Sequence, residues 1–560
     1  MFGIFTYVFL TSCLHTSEFS NVTREEVNES SHFELGMTTV YPEVFDTATE
    51  YEPSSVEVKL DPGGLNTTPA YNAAVLQSQA VTASVVASYV NATMAPEYVN
   101  ATLQSHDLRN ITVPPNGDEV FRPELLREVQ SYQPLVNTII RNFTEGPEVN
   151  KTYDELAAFA DRFGHRMAGS PQLEEAIEYL VTALREAGLD SVTTEPVEVP
   201  VWSRGEEICR MLKPREMNMD ILGLGGSVPT VDGGITARVV LVKTFSELEE
   251  RKDEVNGSIL VYKPTWKNYE SYVPYRTIGA IEAARFGALA VLLRSATAFS
   301  LYTVHTGSTY YADDVARIPA AAITVEDADL LDRILSRGEE VIVHLNMKSN
   351  YSHGISRNIV ADIRGTTYPE QYVVIGAHTD SWDVGQGAMD DGGGVFINVR
   401  TAQFLQKYGL RPKRTLRIVL WTAEEIGFVG GKAFLQRHQS ETDNISIALE
   451  SDYGTFMPYG LTTSSRNKGT QSIVLEVLKL LQHINATQLQ VREAGSDVKL
   501  LGRFGVPVST LLNRNENYFY YHHTRADTMS MMDRKALDLC TAMWISLSFV
   551  FADLSEMLPR

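Results

Sequence analysis

The sequence predicts an α/β protein: a doubly wound, largely parallel central sheet, a small β-rich insertion, and a disordered amino-terminal extension. Three observations carry this expectation. From Tyr372 onward, short apolar strands alternate with helical patterns, as they do where parallel strands are covered on both faces. Between about 230 and 356 the rhythm changes to short strands with one clear helix, so a small domain is expected to interrupt the main one. Residues 21–118 show little hydrophobic periodicity and carry 13 Asp/Glu against 3 Lys/Arg, too little apolar surface to offset the entropy of ordering.

The bulk composition is globular. With 560 residues, 44% of them hydrophobic, the chain has room for two or three domains. Its formal charge of −22 and lack of a basic block argue against a nucleic-acid binder, which must neutralise phosphates with Lys and Arg. Three cysteines cannot build a disulfide scaffold.

In order along the chain, Phe2 to Leu14 is an apolar run of signal-peptide length, too short to span a bilayer. Residues 1–19 are therefore expected to be a signal peptide. Residues 20–118 follow as an acidic, glycosylated extension or propeptide, which would make the precursor a zymogen. Asn-X-Ser/Thr acceptors occur at Asn21, Asn28, Asn66, Asn91, Asn100, Asn110, Asn142, Asn150, Asn256, Asn350, Asn444 and Asn485. Their clustering before residue 153 fits a secreted glycoprotein. The expected destination is extracellular, with the lysosome, Golgi and endoplasmic reticulum on the same route. Cys209 and Cys540, the cysteines left after signal removal, either pair or stay free.

Order begins near 119. Phe121 to Ile140 reads as one helix, and Thr152 with Glu155 reads as a capping box. Ser170-Pro171 is an N-cap with proline at the first helical position; Leu173, Ile177, Leu180, Val181 and Leu184 follow at helical spacing until Gly188 stops the helix. VTTEPVEVPVW then alternates as a strand. YVVIG, LRIVLW, ISIALE and VPVSTLL supply the later strands, with helices between them and a long last helix from about Asp533. The main domain is expected over 119–229 and 357–560, and the insertion over 230–356. The basic run Arg411 to Arg414 reads as a solvated turn, and the aromatic run Tyr518 to Tyr521 as core, dimer contact or pocket lining.

Ligands of doubly wound sheets bind beyond the carboxyl ends of the strands, and polar clusters stand at those places here. YVVIG runs into His378-Thr379-Asp380. The next loop carries Asp390-Asp391 before three glycines. LRIVLW ends in Glu424-Glu425, ISIALE in Ser451-Asp452, and YFYY leads into His522-His523. Carboxylates gathered at one edge repel and lose hydration unless a cation joins them. His with Asp and Glu suits zinc, and several carboxylates with two histidines suit a two-metal site.

HTDSWDVGQGAMDDGGG (378–394), LRPKRTLRIVLWTAEE (410–425), LESDYGTF (449–456) and YYHHTRADTM (520–529) resemble the di-zinc aminopeptidase and carboxypeptidase family of secreted exopeptidases. The resemblance runs from about residue 120 to the end and extends to RTIGAIEAARFGALAVLLRS and IPAAAITVEDA in the insertion, which it marks as protease-associated-like. It implies two zinc ions per subunit. Asp390 would bridge them, with His378 and Asp452 completing one site and Glu425 and His523 the other. His523 is preferred over His522 because the family's ligand directly precedes Ser or Thr. Glu424 would be the catalytic base, Asp380 would orient His378, and the Asp390–Asp391 peptide would be cis. The implied activity is hydrolysis of unsubstituted dipeptides and short peptides by a homodimer, with no nucleic acid and no membrane span. An aminopeptidase, a non-catalytic receptor on the same fold, and a single-zinc glutaminyl cyclase on a related fold are the other readings.

Overall fold

The computed structural model describes residues 123–493 and 496–560. The signal peptide, the acidic extension and the sequons Asn21, Asn28, Asn66, Asn91, Asn100 and Asn110 lie outside the described residues.

Fourteen strands are described: β1 Ser191–Lys213, β2 Met217–Met219, β3 Ile221–Gly223, β4 Ile235–Val242, β5 Ile259–Tyr262, β6 Ala290–Arg294, β7 Ala320–Ile323, β8 Ile342–Ile363, β9 Tyr368–His378, β10 Arg414–Trp421, β11 Ile445–Glu450, β12 Pro458–Thr463, β13 Gln488–Val491 and β14 Val508–Asn513. They hydrogen-bond in the order β13-β12-β14-β11-β9-β10-β8-β4-β5-β6-β7-β3, with β1 on β8 and β2 on β1. β10, β9, β11 and β14 run parallel, each to the next. Alternation along β9 shows why the sheet needs cover on both faces. Val373, Ile375 and Ala377 join the large core under the helices Gly393–Lys407 and Arg534–Asp553. Val374 points the other way, to Trp421 and Phe434.

The stretch 230–356 is less purely β than its sequence predicts. β4, β5, β6 and β7 run parallel, and between them lie the helices Phe245–Glu250 and Gly279–Arg285, with Val325–Ser336 after β7. Parallel neighbours need crossovers, and helices supply them. β3, which precedes residue 230, closes the edge on β7. β1 and β8 form a ribbon paired from Ser191 with Asp362 to Lys213 with Ile342, and β8 also pairs with β10 at one end and β4 at the other. One strand thus belongs to both parts of the sheet.

The helix Pro171–Glu186 forms as its sequence predicts. Ser170 accepts from the Leu173 N–H, and Leu173, Ile177, Leu180, Val181 and Leu184 are buried. Asp533 caps the last helix, Arg534–Asp553, through the Ala536 N–H. That helix is long and apolar enough to cross a membrane, but 94% of its most apolar window is buried inside the fold, which makes it the core helix of this sheet.

Three expectations are corrected, and the open question of the cysteines is answered. The first helix is two, Pro123–Ser131 and Gln133–Thr144, because Pro134 lacks an N–H and crowds the preceding turn. Thr152 and Glu155 make no capping box: the helix starts at Lys151 after Asn150, the Thr152 hydroxyl meets Thr541 at 3.0 Å, and Glu155 pairs with Arg400. The run Arg411 to Arg414 is not a solvated turn throughout, since Arg414 is 1% exposed and stacks on Tyr368. Cys209 and Cys540 are both free and buried, in separate hydrophobic clusters.

Candidate metal centre

The parallel register places the cluster. His378 ends β9 opposite Trp421, the end of β10, and Glu450, the end of β11, lies opposite Gly376. The residues that follow each strand therefore emerge side by side. Asp390 arrives from the loop before the helix Gly393–Lys407, across a cis peptide to Asp391. His522 and His523 follow the short helix Tyr518–Tyr521.

Asp390 turns its two carboxylate oxygens to different partners. Oδ1 lies 3.2 Å from His378 Nε2, which is itself 3.0 Å from Asp452 Oδ1. Oδ2 lies 3.5 Å from His523 Nε2, which is 2.9 Å from Glu425 Oε2. All five residues named as zinc ligands thus converge, in two groups that share Asp390. His522 comes in as well: its Nε2 is 3.4 Å from Asp390 Oδ2, and its ring stacks on that of His523 with centroids 3.5 Å apart.

The donor set fits a cation. Asp390 Oδ2 and Glu425 Oε1 are buried without a hydrogen-bond partner, and a buried carboxylate in that state is costly. Burial, and then the Glu425 charge, raise the Asp390 carboxyl to about 7; burial raises Glu425 to about 8. Burial and the Asp452 charge push Glu424 well above the usual range. The histidines divide. Burial disfavours the charged form of His378, but the surrounding Asp380, Asp390 and Asp452 carboxylates win and raise it. Burial drives His522 and His523 well below 6.5, with the His523 charge adding to it at His522 and the Arg276 charge at both. Neutral imidazoles beside carboxylates that resist ionisation are what a divalent ion would relieve.

Around this cluster the backbone is tightly held. The Asp380 carboxylate accepts the N–H groups of Glu424 at 3.0 Å and Glu425 at 3.2 Å. Toward His378 it is the Asp380 main-chain carbonyl that lies within bonding distance of Nδ1, at 3.0 Å; the carboxylate is 3.7 Å away. Asp527 accepts from the N–H groups of Met389 and Asp390, and Asp391 from those of His378 and Gly394. Arg166, fully buried, donates to the carbonyls of Thr379, Gln386 and Gly387. Trp382 Nε1 donates to Glu425 Oε2 at 2.7 Å. Ala423 and His523 hold φ of 56° and 60°, a conformation non-glycine residues seldom adopt and one that clusters at functional sites.

The stretch 230–356 contributes directly. His305 Nδ1 lies 2.8 Å from the His522 carbonyl, the Thr306 N–H donates to the His523 carbonyl, and His523 Nδ1 faces the Thr306 carbonyl at 3.3 Å. The Ser308 hydroxyl donates to the Glu425 carbonyl. None of these contacts has a local signal in the sequence. Asp527, by contrast, lies inside the segment 520–529, four residues after His523.

A family model described as Peptidase family M28 matches residues 358–548. Carboxypeptidase Q of Xenopus laevis is 46% identical over 434 residues, covering 77% of this chain and 92% of that protein. A peptidase M28 precursor from Shewanella amazonensis superposes with a TM-score of 0.73 at 32% identity, over 77% of this chain and 99% of that one. A zinc aminopeptidase from Bacillus subtilis covers 74% of this chain and 99% of its own with a TM-score of 0.55 at 18% identity, a likeness of fold.

Proposed function

The chain belongs to the family of the carboxypeptidases Q, within peptidase family M28, and is a zinc-dependent exopeptidase acting on peptides; on that footing we propose that it hydrolyses unsubstituted dipeptides and other short peptides. Two zinc ions per subunit would serve it, one held by His378, Asp452 and Asp390 and the other by His523, Glu425 and Asp390. The observation that carries this reading is the division of Asp390 between the two groups.

Zinc, when bound, supplies Lewis acidity that activates water near neutral pH and polarises a carbonyl. The chain's own residues do the rest. The Asp380 carbonyl faces His378 Nδ1 and the Thr306 carbonyl faces His523 Nδ1. Each fixes the tautomer that leaves Nε2 free as a ligand atom. Trp382 holds Glu425 in place. Glu424, next to the proposed ligand Glu425, takes a proton from the attacking water as the new C–O bond forms. It returns the proton to the amine nitrogen as the C–N bond breaks.

Export along the secretory route, a signal peptide at 1–19 and a homodimer complete the reading. Residues 119–229 and 357–560 would be the peptidase domain and 230–356 a protease-associated-like insertion. Four sequon asparagines, Asn256, Asn350, Asn444 and Asn485, stand exposed, which supports a glycosylated exterior. The test is hydrolysis of free, amino-blocked and carboxyl-blocked dipeptides before and after chelation. Activity on free dipeptides that vanishes with zinc and returns on its re-addition is expected. Hydrolysis indifferent to chelation overturns the metal reading, and preference for carboxyl-blocked substrates converts it to an aminopeptidase.

A further inference from the structure

The two halves of the candidate centre are held from different directions. His378 is supported from its own stretch of chain, by the Asp380 carbonyl at Nδ1 and the Asp391 carboxylate at its N–H. Glu425 and His523 are held instead by Trp382 and Thr306. Trp382 donates to Glu425 Oε2 at 2.7 Å, and its ring lies 5.5 Å from that of His523, centre to centre. Thr306 gives its N–H to the His523 carbonyl and turns its own carbonyl to Nδ1. Gly225 completes the seat of Trp382. A Cβ there would lie 2.2 Å from the indole Cη2, so any side chain would push the ring off its place beside Glu425.

Arg204, on β1, reaches both of these supports. Its side chain is 12% exposed and lies over the Trp202 ring, with Cζ 5.0 Å from the centre. Nε and Nη2 donate at 2.9 Å to different oxygens of Asp383, the residue after Trp382. Nη2 also donates to the Thr306 hydroxyl at 3.3 Å. Nη1 donates to the Gly223 carbonyl at 2.6 Å and to Glu207 at 3.1 Å, and the Thr306 hydroxyl donates to that same Gly223 carbonyl. One planar fork thus joins the chain at Asp383, the end of β3 and the stretch that carries Thr306. A bidentate arginine–carboxylate pair fixes orientation as well as distance, and a lysine, with a point charge in place of the fork, does not substitute for it.

We propose that Arg204 is a positioning residue for one half of the centre alone: it sets the zinc affinity of the Glu425–His523 side and leaves the His378–Asp452 side as it is. The inference rests on the two-zinc reading and deepens it, because it makes the two sites depend on different parts of the fold. Arg204 touches neither ligand. It acts through Asp383 on Trp382, which holds Glu425, and through Thr306, which holds His523. Residues that orient metal ligands from behind are typically worth about 10- to 100-fold in metal affinity.

The test is a calorimetric zinc titration of the chelated protein, in wild type, Arg204→Gln, Asp383→Asn and the double variant. Anomalous diffraction from crystals at limiting zinc shows which site fills. Wild type is expected to bind two zinc ions. Arg204→Gln should bind the first as wild type does and the second about 10- to 100-fold more weakly. Its peptide hydrolysis should return in excess zinc, which a general loss of structure would not allow. Asp383→Asn should behave alike, and the double variant should cost little more than either, since all three break one contact. At limiting zinc the peak beside Glu425 and His523 should fade while that beside His378 and Asp452 persists. Equal weakening at both sites, loss confined to the His378–Asp452 side, or unchanged binding overturns the proposal. If Arg204→Gln does not fold, Asp383→Asn decides by the same criteria. Wild type that binds fewer than two zinc ions refutes the two-zinc reading itself. Wild type that binds two, with variants that match it, leaves that reading standing and removes the role given to Arg204.

Discussion

The carboxylate of Asp380 accepts the backbone N–H of Glu424 at 3.0 Å. Its other oxygen takes the N–H of Glu425, so one side chain sets the chain direction from which both a proposed ligand and the proposed base project. Asp380→Asn replaces one of these acceptors with an amide that itself donates, against an N–H. Such supporting residues typically cost 10- to 100-fold in activity or metal affinity. A fall of that size in kcat/KM is expected, with a weaker zinc-binding curve. Unchanged kinetics would mean that the Glu424–Glu425 turn keeps its shape without Asp380.

Glu424→Gln removes proton transfer and little else. Turnover of a free dipeptide should drop about 10²–10⁴-fold while zinc per chain stays the same. A variant that keeps its rate assigns the base elsewhere, and one that loses zinc makes Glu424 a ligand.

Asp538 offers a pH test away from the metal ligands. Burial raises its carboxyl to about 6, against about 3.8 for an unfolded aspartate; one oxygen accepts the Asn150 N–H and the other has no partner. The folded state holds this proton more tightly, so the unfolded chain binds fewer protons between these values and stability falls as pH rises from about 4 to about 6. Asp538→Asn keeps an acceptor for Asn150 and abolishes the titration. Urea midpoints of the chelated protein measured over that range should therefore decline less steeply in the variant than in wild type. Parallel slopes would show that Asp538 ionises alike in both states.

Glycan occupancy should follow exposure. Asn256, Asn350, Asn444 and Asn485 are exposed, whereas Asn142 is half-buried, its amide donating to the Thr138 carbonyl and its oxygen accepting from Tyr408. Peptide mapping of protein from a secreting host is expected to find sugar at the four exposed sites in preference to Asn142. A fully occupied Asn142 with those four bare reverses this ranking.

Much of the molecule could be read from the chain because its signals are local. β9, β10 and β11 announce themselves as apolar runs, and each ends in the polar residues that the parallel register then brings together: His378, Glu424 with Glu425, and Asp452. The choice between His522 and His523 was harder, since both approach Asp390 Oδ2 at nearly the same distance; His523 also meets Glu425, at 2.9 Å. Long-range support was illegible. Arg166 reaches carbonyls more than two hundred positions away, and nothing in its own segment announces that. The grip of His305, Thr306 and Ser308 on His522, His523 and Glu425 joins stretches more than a hundred residues apart. Thr152 misled for the same reason, its partner being Thr541 rather than its own helix end.

The account is tested most directly by anomalous diffraction at the zinc edge from crystals of zinc-loaded protein. Two peaks per chain are expected, one on each oxygen of Asp390, the first also against His378 and Asp452 and the second against Glu425 and His523. A single peak, or metal held by side chains other than these, would contradict it.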